Sequence, residues 1–492
     1  MMKNARLILL APVLMLLLSN KRPPLRQAIV ETDEIDEFIT RQMDTQRVPG
    51  LALAITQGDR VLYVKGYGRA IDGQPVTPQT QFFIASVSKS FTALAVMQLV
   101  EAGKIDLDAP VQRYLPEFTL ADPEVASQIT VRHLLNQTSG LSEVGFADMS
   151  LPQPKTIDER VTSLRTARPV ATPGTEYHYF SPNYGTLARL VEVISGQPFA
   201  AYLNQHVFRP IEMTDSLSVV TSTEGIQKAD HLAQGHLVAF GIPFSYPEAR
   251  GYLGGSGGVI TTAEDMAHYL ILQNNGGRYE NEQLVTPQSM TLLHTPPVEI
   301  KSHYAMGWME NTIGGQRTLE HTGIISTYSA DAVLIPDQEI GIAVFYNVSS
   351  FATNTFGSPQ IRNGLISLVS GKQPESSGIN VKLWGWTMGL LTLIGGVLAL
   401  RSLLLLPRWA QLLDTLPPWR LLPGIVWMFV PGLVLLSIPF LTARFADRVF
   451  GLANLYKSML EIFVWLGITG ILGAINGIAR IAIWTSLGEK LK

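Results

Sequence analysis

The chain has 492 residues, of which 46% are hydrophobic, contains no cysteine and has a formal net charge of −3. This length allows a catalytic domain of roughly 300 residues and a second region. The lack of cysteine excludes disulfides, thiolate catalysis, Cys-type zinc sites and a lipid anchor on Cys, and the small charge provides no basic surface for nucleic acid. Its nine histidines are scattered singly, without the spacing of a zinc peptidase. We therefore expect no metal, no cofactor and no nucleic-acid partner.

A short apolar run near the N-terminus has the pattern of an export signal. Lys3 and Arg6 precede 14 uncharged residues, which Lys21 and Arg22 follow. A basic stretch before a short apolar stretch is typical of signal peptides, but no Ala-x-Ala cleavage site follows it here. We predict a signal peptide or N-terminal anchor over residues 1–22 and export of the rest of the chain.

Two segments far apart in the chain have the composition of β-hairpins. Residues 51–68, LALAITQGDRVLYVKGYG, contain a Gly-Asp turn, and residues 331–347, DAVLIPDQEIGIAVFYN, contain a Pro-Asp turn. The periodic segments between them are mostly helical, as in SFTALAVMQLVEAG, TVRHLLNQTSG, NYGTLARLVEVISG and TAEDMAHYLILQNNGG. Strands from both ends with helices between them predict one sheet beside a helical insertion, which is an α+β arrangement.

The segment FFIASVSKS, residues 82–90, places polar side chains where an apolar helix begins. Ser86 and Lys89 are three apart, and such residues share one face of a helix at about 5–6 Å between Cβ atoms. Serine needs a base to become a nucleophile. A lysine can be that base when apolar surroundings lower its pKa. Of the 13 lysines, only Lys89 has a serine three places before it. We predict Ser86 as nucleophile and Lys89 as base; a helix-capping serine followed by a solvated lysine is the alternative.

Three long runs without charge lie in the C-terminal part of the chain. They contain 18, 23 and 18 residues and lie between Lys382 and Arg401, Arg420 and Arg444, and Glu461 and Arg480. Each is close to the roughly 20 apolar residues that cross a bilayer about 30 Å thick. We predict a linker over residues 371–381 and a membrane domain over residues 382–486, with helices at about 383–400, 421–443 and 462–479. A buried helical hairpin is the alternative.

Export of the body followed by three spans would place the C-terminus in the cytoplasm. We therefore expect a multi-pass protein of the cell (inner) membrane, in contact with lipid, whose catalytic domain is extracytoplasmic. The loop expected outside also carries Arg444, Arg448 and Lys457, so the positive-inside rule supports this orientation only weakly.

Seven blocks between residues 34 and 370 resemble, in order, the landmarks of the serine beta-lactamase-related family. They are FFIASVSKSFTALAVMQLVEAGKIDLDAPVQRYLPEF, ITVRHLLNQTSGL, ATPGTEYHYFSPNYGTLARLVEVISGQPF, VFRPIEMTDS, GSGGVITTAEDMAHYL, YAMGW and LEHTGIISTYSADAVLIPD. That family includes class C beta-lactamases, D-alanyl-D-alanine carboxypeptidases, D-aminopeptidases and related esterases. The resemblance implies a hydrolase domain over residues 34–370, in which helices flank an antiparallel sheet and form a helical subdomain.

The family's first two motifs imply roles for several residues. Its Ser-x-x-Lys motif matches Ser86 and Lys89 as nucleophile and base. Its Tyr-x-Asn motif falls on YFS, which makes Tyr179 the implied proton shuttle to the leaving group. Ser181 then takes the place of the usual Asn in contact with substrate. A shifted register would give that place to Asn183, but Ser181 is preferred because the following helix then matches without a gap.

The family's third motif, Lys/His-Thr/Ser-Gly, matches residues 321–323. The resemblance implies that His321, Thr322 and Gly323 line the substrate and that the N–H of Ile324 joins the N–H of Ser86 in holding the oxyanion. A histidine with an ordinary pKa near 6.5 is largely neutral at pH 7, whereas the lysine of other members is a permanent cation. Gly323 permits a close approach of the strand to substrate.

The expected function is that of an exported, membrane-tethered serine hydrolase acting through an acyl-enzyme. The leading substrate is a small peptide or amide that contains a D-amino acid, cleaved in the manner of a carboxypeptidase or D-aminopeptidase. An esterase or beta-lactamase of the same family is an alternative, and so is a penicillin-binding sensor with little turnover. The chain is also similar to the peptidase that matures precolibactin in three features. These are the three spans, a Ser in place of the Asn of the tyrosine motif, and the His of the third motif.

Overall fold

The computed structural model describes residues 32–490 except 376, 377, 414, 416 and 447. Residues 1–31, which include the predicted signal peptide or anchor, lie outside the described residues. The strands are β1 Gly50–Gln57, β2 Arg60–Gly68, β3 Phe82–Phe83, β4 Leu217–Ser218, β5 His236–Ala239, β6 Ile242–Ser245, β7 Val259–Thr261, β8 Arg278–Tyr279, β9 Glu282–Gln283, β10 Tyr304–Ala305, β11 Trp308–Ile313, β12 Gln316–Ile324, β13 Ser329–Ile335 and β14 Ile340–Tyr346.

The helices fall into a globular region, α1 to α11, and a C-terminal helical region, α12 to α16. They are α1 Thr32–Gln46, α2 Ser88–Glu101, α3 Pro123–Gln128, α4 Val131–Leu135, α5 Ile157–Ser163, α6 Pro182–Ser195, α7 Phe199–Leu203, α8 Ser222–Lys228, α9 Ala263–Asn274, α10 Pro287–Leu293, α11 Ser358–Val369, α12 Val381–Leu404, α13 Leu406–Leu412, α14 Pro418–Ala446, α15 Leu452–Ser458 and α16 Leu460–Lys490.

Seven strands form one antiparallel sheet in the order β10-β11-β12-β13-β14-β1-β2. Gly58, with a positive φ of 58°, lies in the tight turn between β1 and β2, and Pro336–Gln338 turn the chain between β13 and β14. Leu51 pairs with Tyr346, so the N-terminal hairpin adds to the strands from the other end of the region. This confirms the predicted α+β sheet.

Both faces of the sheet are buried. Alternate residues along a strand point to opposite sides of the sheet, so each face contributes to its own hydrophobic core. On one face Leu51 and Val344 belong to a core with the apolar side chains of α1 and α11. On the other face Ala52 and Phe345 belong to a larger core shared with α2, α6 and α9. The inner strands β13 and β14 are buried over their whole lengths. Ser86 lies in the turn directly before α2 and Lys89 in the first turn of that helix, so the predicted site is on this second side of the sheet.

Helix α2 lies inside this larger core. Eleven of its 14 residues are buried, as expected for a helix that is apolar on most sides. Its N-terminus follows β3, which pairs with β7. The connection between sheet and helix thus fixes the turn that carries Ser86.

The C-terminal helical region fits a membrane-associated region. Helices Val381–Leu404 and Leu460–Ser486 are long and apolar enough to cross a membrane, and a third span exists if Trp419–Trp427 and Val430–Phe445, bent by 49°, count as one. Pro431 explains the bend, because its ring lacks an N–H and collides with the carbonyl four residues earlier. The structure gives two candidate spans, or three if α14 crosses as a bent unit, so the predicted count of three stays a prediction.

The helical region docks on the globular region at the first turns of α12 and α16. The Glu461 carboxylate accepts hydrogen bonds from Gly241 N at 3.3 Å and from Trp384 Nε1 at 2.6 Å. Gly385 packs so tightly on the β5–β6 turn that a Cβ there would lie 2.0 Å from Gly241 N. The two regions therefore contact each other through backbone as well as side chains.

Replacing Gly385 by Val is expected to break this contact between the helical and globular regions. The Cβ of the new side chain would collide with backbone atoms of Phe240 and Gly241, which have no room to move. Amide hydrogen exchange over residues 236–245 should then be faster than in the parent protein. Gly389→Ala is the matched control, since a Cβ at Gly389 would meet Phe240 Cδ1 at an ordinary 3.6 Å. Equal exchange in both variants would show that the contact does not hold the regions together.

Candidate active site

Ser86 lies in a short 3-10 helix of one turn, Ala85–Val87, directly before α2. Ala85 has a φ of 45°, a left-handed conformation that costs a residue with a Cβ about 1–3 kcal/mol. Ser86 is half-buried, while Ala85 and Val87 are fully buried. The packed neighbours hold the strained turn in place, and Ser86 stays partly accessible within it.

Lys89 is completely buried one turn into the helix. Its Nζ donates to Ser86 Oγ at 3.1 Å and to the carbonyl oxygen of Ser256 at 2.8 Å. Burial lowers the pKa of Lys89 because the ammonium loses its hydration, and the nearby Arg448 charge lowers it further, whereas Tyr179 opposes the shift. An amine of this kind is suited to take the Ser86 proton.

Tyr179 completes a cluster with the two residues above. Lys89 Nζ lies 4.9 Å from the centroid of its ring, and Lys89 and Ser86 are among the groups that shift the pKa of the Tyr179 hydroxyl. Loss of hydration alone would raise the pKa of Tyr179, but the charges of Lys89 and Arg448, together with the polar groups of Lys89 and Ser86, lower it overall. The structure thus brings the three predicted catalytic side chains together, and their chemical roles stay a proposal.

The two candidates for the position after the tyrosine have different environments. Ser181 is the half-buried N-cap of α6 and its side chain makes no capping hydrogen bond. Asn183 is fully buried, donates to Gln137 Oε1 at 2.7 Å and accepts from Ser139 Oγ at 3.0 Å. Asn183 is therefore part of a structural network, which favours the register with Ser181 beside the site. The role of Ser181 stays a prediction.

His321 lies on β12 and faces the cluster. Its side chain is 7% exposed, its Nε2 lies 3.3 Å from Tyr304 Oη, and its ring centroid is 6.1 Å from that of Tyr179. Burial first, and then the charge of Lys89, lower the pKa of His321 to about 3. At neutral pH His321 is uncharged and provides no cation for a substrate.

Gly323 permits the close approach between β12 and the Ser86 turn. A Cβ at Gly323 would lie 2.0 Å from the carbonyl oxygen of Ile84 and 3.0 Å from Ser86 N. Any larger residue would push the strand away from the nucleophile. Ile324 follows on the strand with an exposed side chain, 47% accessible, and the oxyanion pair of Ser86 and Ile324 N–H groups stays a proposal.

Thr322 faces the other side of the sheet, because neighbouring residues of a strand alternate between faces. Its Oγ1 donates to Asp331 Oδ1 at 2.7 Å and accepts from Arg362 Nη1 of α11 at 3.2 Å. The side chain is thus part of a buried ionic network below α11. This placement does not support the predicted contact of the Thr322 side chain with substrate.

Two residues beside the cluster received no role from the sequence. Tyr304 is buried between His321 and Tyr179, with ring centroids 5.9 Å and 6.1 Å away. Arg448, which follows α14, places its guanidinium carbon 4.7 Å from the centroid of the Tyr179 ring. The YAMGW block contains Tyr304, but no local pattern relates Arg448 to a residue so far away in the chain.

Within the described ranges, no group of three or more His, Asp or Glu side chains is arranged to hold a metal ion. The chemistry that the cluster offers is that of a hydroxyl, an amine and a phenol in contact. Such a set can form and release a covalent ester on serine.

Comparison with known proteins places this cluster in a family. The family model described as Beta-lactamase matches residues 35–363. Protein flp of Staphylococcus aureus (strain MW2) is 27% identical over 322 residues, which are 64% of this chain and 63% of that protein. Unguisins hydrolase ungD' of Aspergillus campestris is 24% identical over 343 residues, 65% and 62% of the two chains. The match therefore spans less than two thirds of either relative.

Solved structures give the same result for the fold. The octameric penicillin-binding protein homologue from Pyrococcus abyssi matches with a TM-score of 0.59 and 26% identity over 74% of this chain and 81% of that one. EstCE1, a hydrolase with promiscuous acyltransferase activity, matches with a TM-score of 0.53 and 23% identity over 64% and 93% of the two chains, which supports the fold alone. Since the family model covers most of the globular region and more than half of the chain, this protein belongs to the Beta-lactamase family of serine-hydrolase folds.

Proposed function

We propose that this chain is a membrane-tethered serine hydrolase that works through an acyl-enzyme. The observation that carries the proposal is the hydrogen bond between Ser86 Oγ and a buried amine whose pKa is lowered and which also lies against the Tyr179 ring. The hydrolase among its relatives supports catalysis rather than binding alone.

In the proposed mechanism, Ser86 Oγ attacks the substrate carbonyl carbon while Lys89 takes its proton. The N–H groups of Ser86 and Ile324 hold the resulting oxyanion. Tyr179 relays the proton to the leaving group, and the bond between carbonyl carbon and leaving group breaks. A water molecule then attacks the acyl carbon, its proton returns through the same groups to Ser86 Oγ, and the acid product leaves.

The proposed organisation is a hydrolase domain over residues 34–370, a linker over 371–381 and a membrane domain over 382–486 that crosses three times. Its support is that the start of α12, the segment after α14 and the start of α16 all contact the globular region. Such an arrangement keeps the active site on one side of the membrane, which we propose to be the extracytoplasmic side of the cell (inner) membrane.

A small peptide or amide with a D-amino acid is the proposed substrate, in the manner of a carboxypeptidase or a D-aminopeptidase. The purified full-length protein should hydrolyse D-aminoacyl amides with a larger acceleration over the uncatalysed reaction than it gives to short-chain acyl esters. The measurement is a panel of both classes under one set of conditions. Faster cleavage of esters by orders of magnitude on that scale would assign an esterase, and a stoichiometric acyl-enzyme without turnover would assign a sensor.

A further inference from the structure

The segment after α14 brings a cation to the candidate active site from outside the family region. Arg448 lies beyond residues 35–363, yet its guanidinium packs on Tyr179 at 4.7 Å from guanidinium carbon to ring centroid. After the loss of hydration and the charge of Tyr179, its charge is among the causes that shift the pKa of Lys89. Arg448 is thus close enough to the reacting groups to contact a bound substrate.

The segment is held against the globular region at two further points. Asn454 Nδ2 donates to the carbonyl oxygen of Met149 at 3.2 Å. Lys457 Nζ lies 5.8 Å from the ring centroid of Tyr246. Contacts with both Met149 and Tyr246 fix α15 beside the site, so the position of Arg448 does not depend on one contact.

Among the residues that the structure describes, no carboxylate forms a salt bridge with Arg448. Among the described acidic groups, Glu143 is one whose pKa the Arg448 charge lowers, but burial, followed by the charge of Asp148, raises the pKa of Glu143 overall to about 7. Asp148 itself pairs with Arg160 at 2.5 Å. At neutral pH Glu143 is therefore only partly ionised.

The third motif lacks the cation that a substrate carboxylate would need. His321 has a pKa lowered to about 3 by burial and by Lys89, and Thr322 points to the opposite face of the sheet. Burial also keeps Tyr177 in its neutral form by raising its pKa, although the charge of Arg448 opposes that shift. A guanidinium has the planar donor pair that matches a carboxylate.

We propose that Arg448 binds a carboxylate of the substrate on the leaving-group side of the scissile bond. The location follows from its contact with Tyr179, the group proposed to protonate the leaving group. This inference rests on the proposed function and narrows it, because it selects substrates with a free C-terminal carboxylate, as a carboxypeptidase would cleave. The site is then complete only when the C-terminal helical region is docked.

The test uses the full-length protein and two probes that differ in one group, N-acyl-D-alanyl-D-alanine and its C-terminal amide. The parent protein should prefer the carboxylate form by about 10-fold or more in kcat/KM. Arg448→Gln should lower kcat/KM for the carboxylate form by about 10- to 100-fold, chiefly through KM, as expected for a lost charge-assisted hydrogen bond. The same variant should change the amide form by less than about 3-fold. Arg448→Lys should be intermediate, and Arg444→Gln, at an exposed arginine that packs on its neighbour Phe445, should match the parent protein.

A parent protein that prefers neither probe overturns the carboxylate site, and so does an equal loss on both probes in Arg448→Gln. Labelling by a neutral fluorophosphonate separates this from the proposed function. Labelling of the parent protein without discrimination between the probes refutes the role of Arg448 alone. No labelling of the folded parent protein refutes the serine hydrolase itself.

Discussion

Replacing Ser86 by Ala is expected to reduce hydrolysis by about 10⁴-fold or more while the protein folds normally, because the covalent intermediate can no longer form. The turn around Ser86 is fixed by buried neighbours and by strain at Ala85, and the Ser86 hydroxyl contributes little to that packing. The measurement is the initial rate on the best substrate of the panel, with the unfolding temperature recorded for both proteins.

Ser90→Ala is the matched control for this loss. Ser90 is buried in the same helix and its Oγ donates to the carbonyl oxygen of Val87 at 2.9 Å. Removing that hydroxyl should lower stability slightly and leave the rate within about 3-fold of the parent protein. A Ser86→Ala protein that keeps its rate, or a Ser90→Ala protein that loses it, would assign the nucleophile elsewhere.

Replacing Lys89 by Met should lower the rate of Ser86 acylation by about 10²- to 10⁴-fold, the usual contribution of a general base. Arg is the informative second substitution, because it keeps a positive charge but cannot give up its proton. Both variants should fail if Lys89 acts as a base. Recovery of activity in Lys89→Arg would show instead that the site needs only a cation there. The measurement is the second-order rate constant for fluorophosphonate labelling.

The same Lys89→Met variant should be more stable than the parent protein at neutral pH. Burial lowers the pKa of folded Lys89 below its ordinary value of 10.5, so unfolding takes up a proton at pH values between the two. Stability of the parent protein therefore rises with pH across that window. The advantage of the variant should be largest at or below the folded pKa and shrink toward pH 10.5, which denaturant unfolding at several pH values measures.

Much of the fold was predictable because local patterns determine it. Apolar runs around the Gly-Asp and Pro-Asp turns predicted the β1–β2 and β13–β14 hairpins, and the apolar run after Lys89 predicted α2. Ser86 and Lys89 meet because residues three apart share a helical face. In each case the interacting residues are close together in the sequence, so a local pattern is enough to predict their contact.

The rest depends on tertiary contacts that no local pattern contains. Arg448 reaches Tyr179 only because the C-terminal helical region docks on the globular region. The direction of the Thr322 side chain depends on strand alternation relative to His321 and on its partners Asp331 and Arg362. The uncharged run over residues 421–443 forms two helical pieces rather than one straight helix, because Pro431 bends α14.

The central claim is that one hydroxyl, activated by a buried amine and a phenol, carries the acyl group. The most direct test is to react the folded full-length protein with a fluorophosphonate and to map the modified residue by mass spectrometry of its peptides. The account predicts one adduct per chain, located on Ser86. An adduct on any other residue, or no adduct on folded protein, would contradict it.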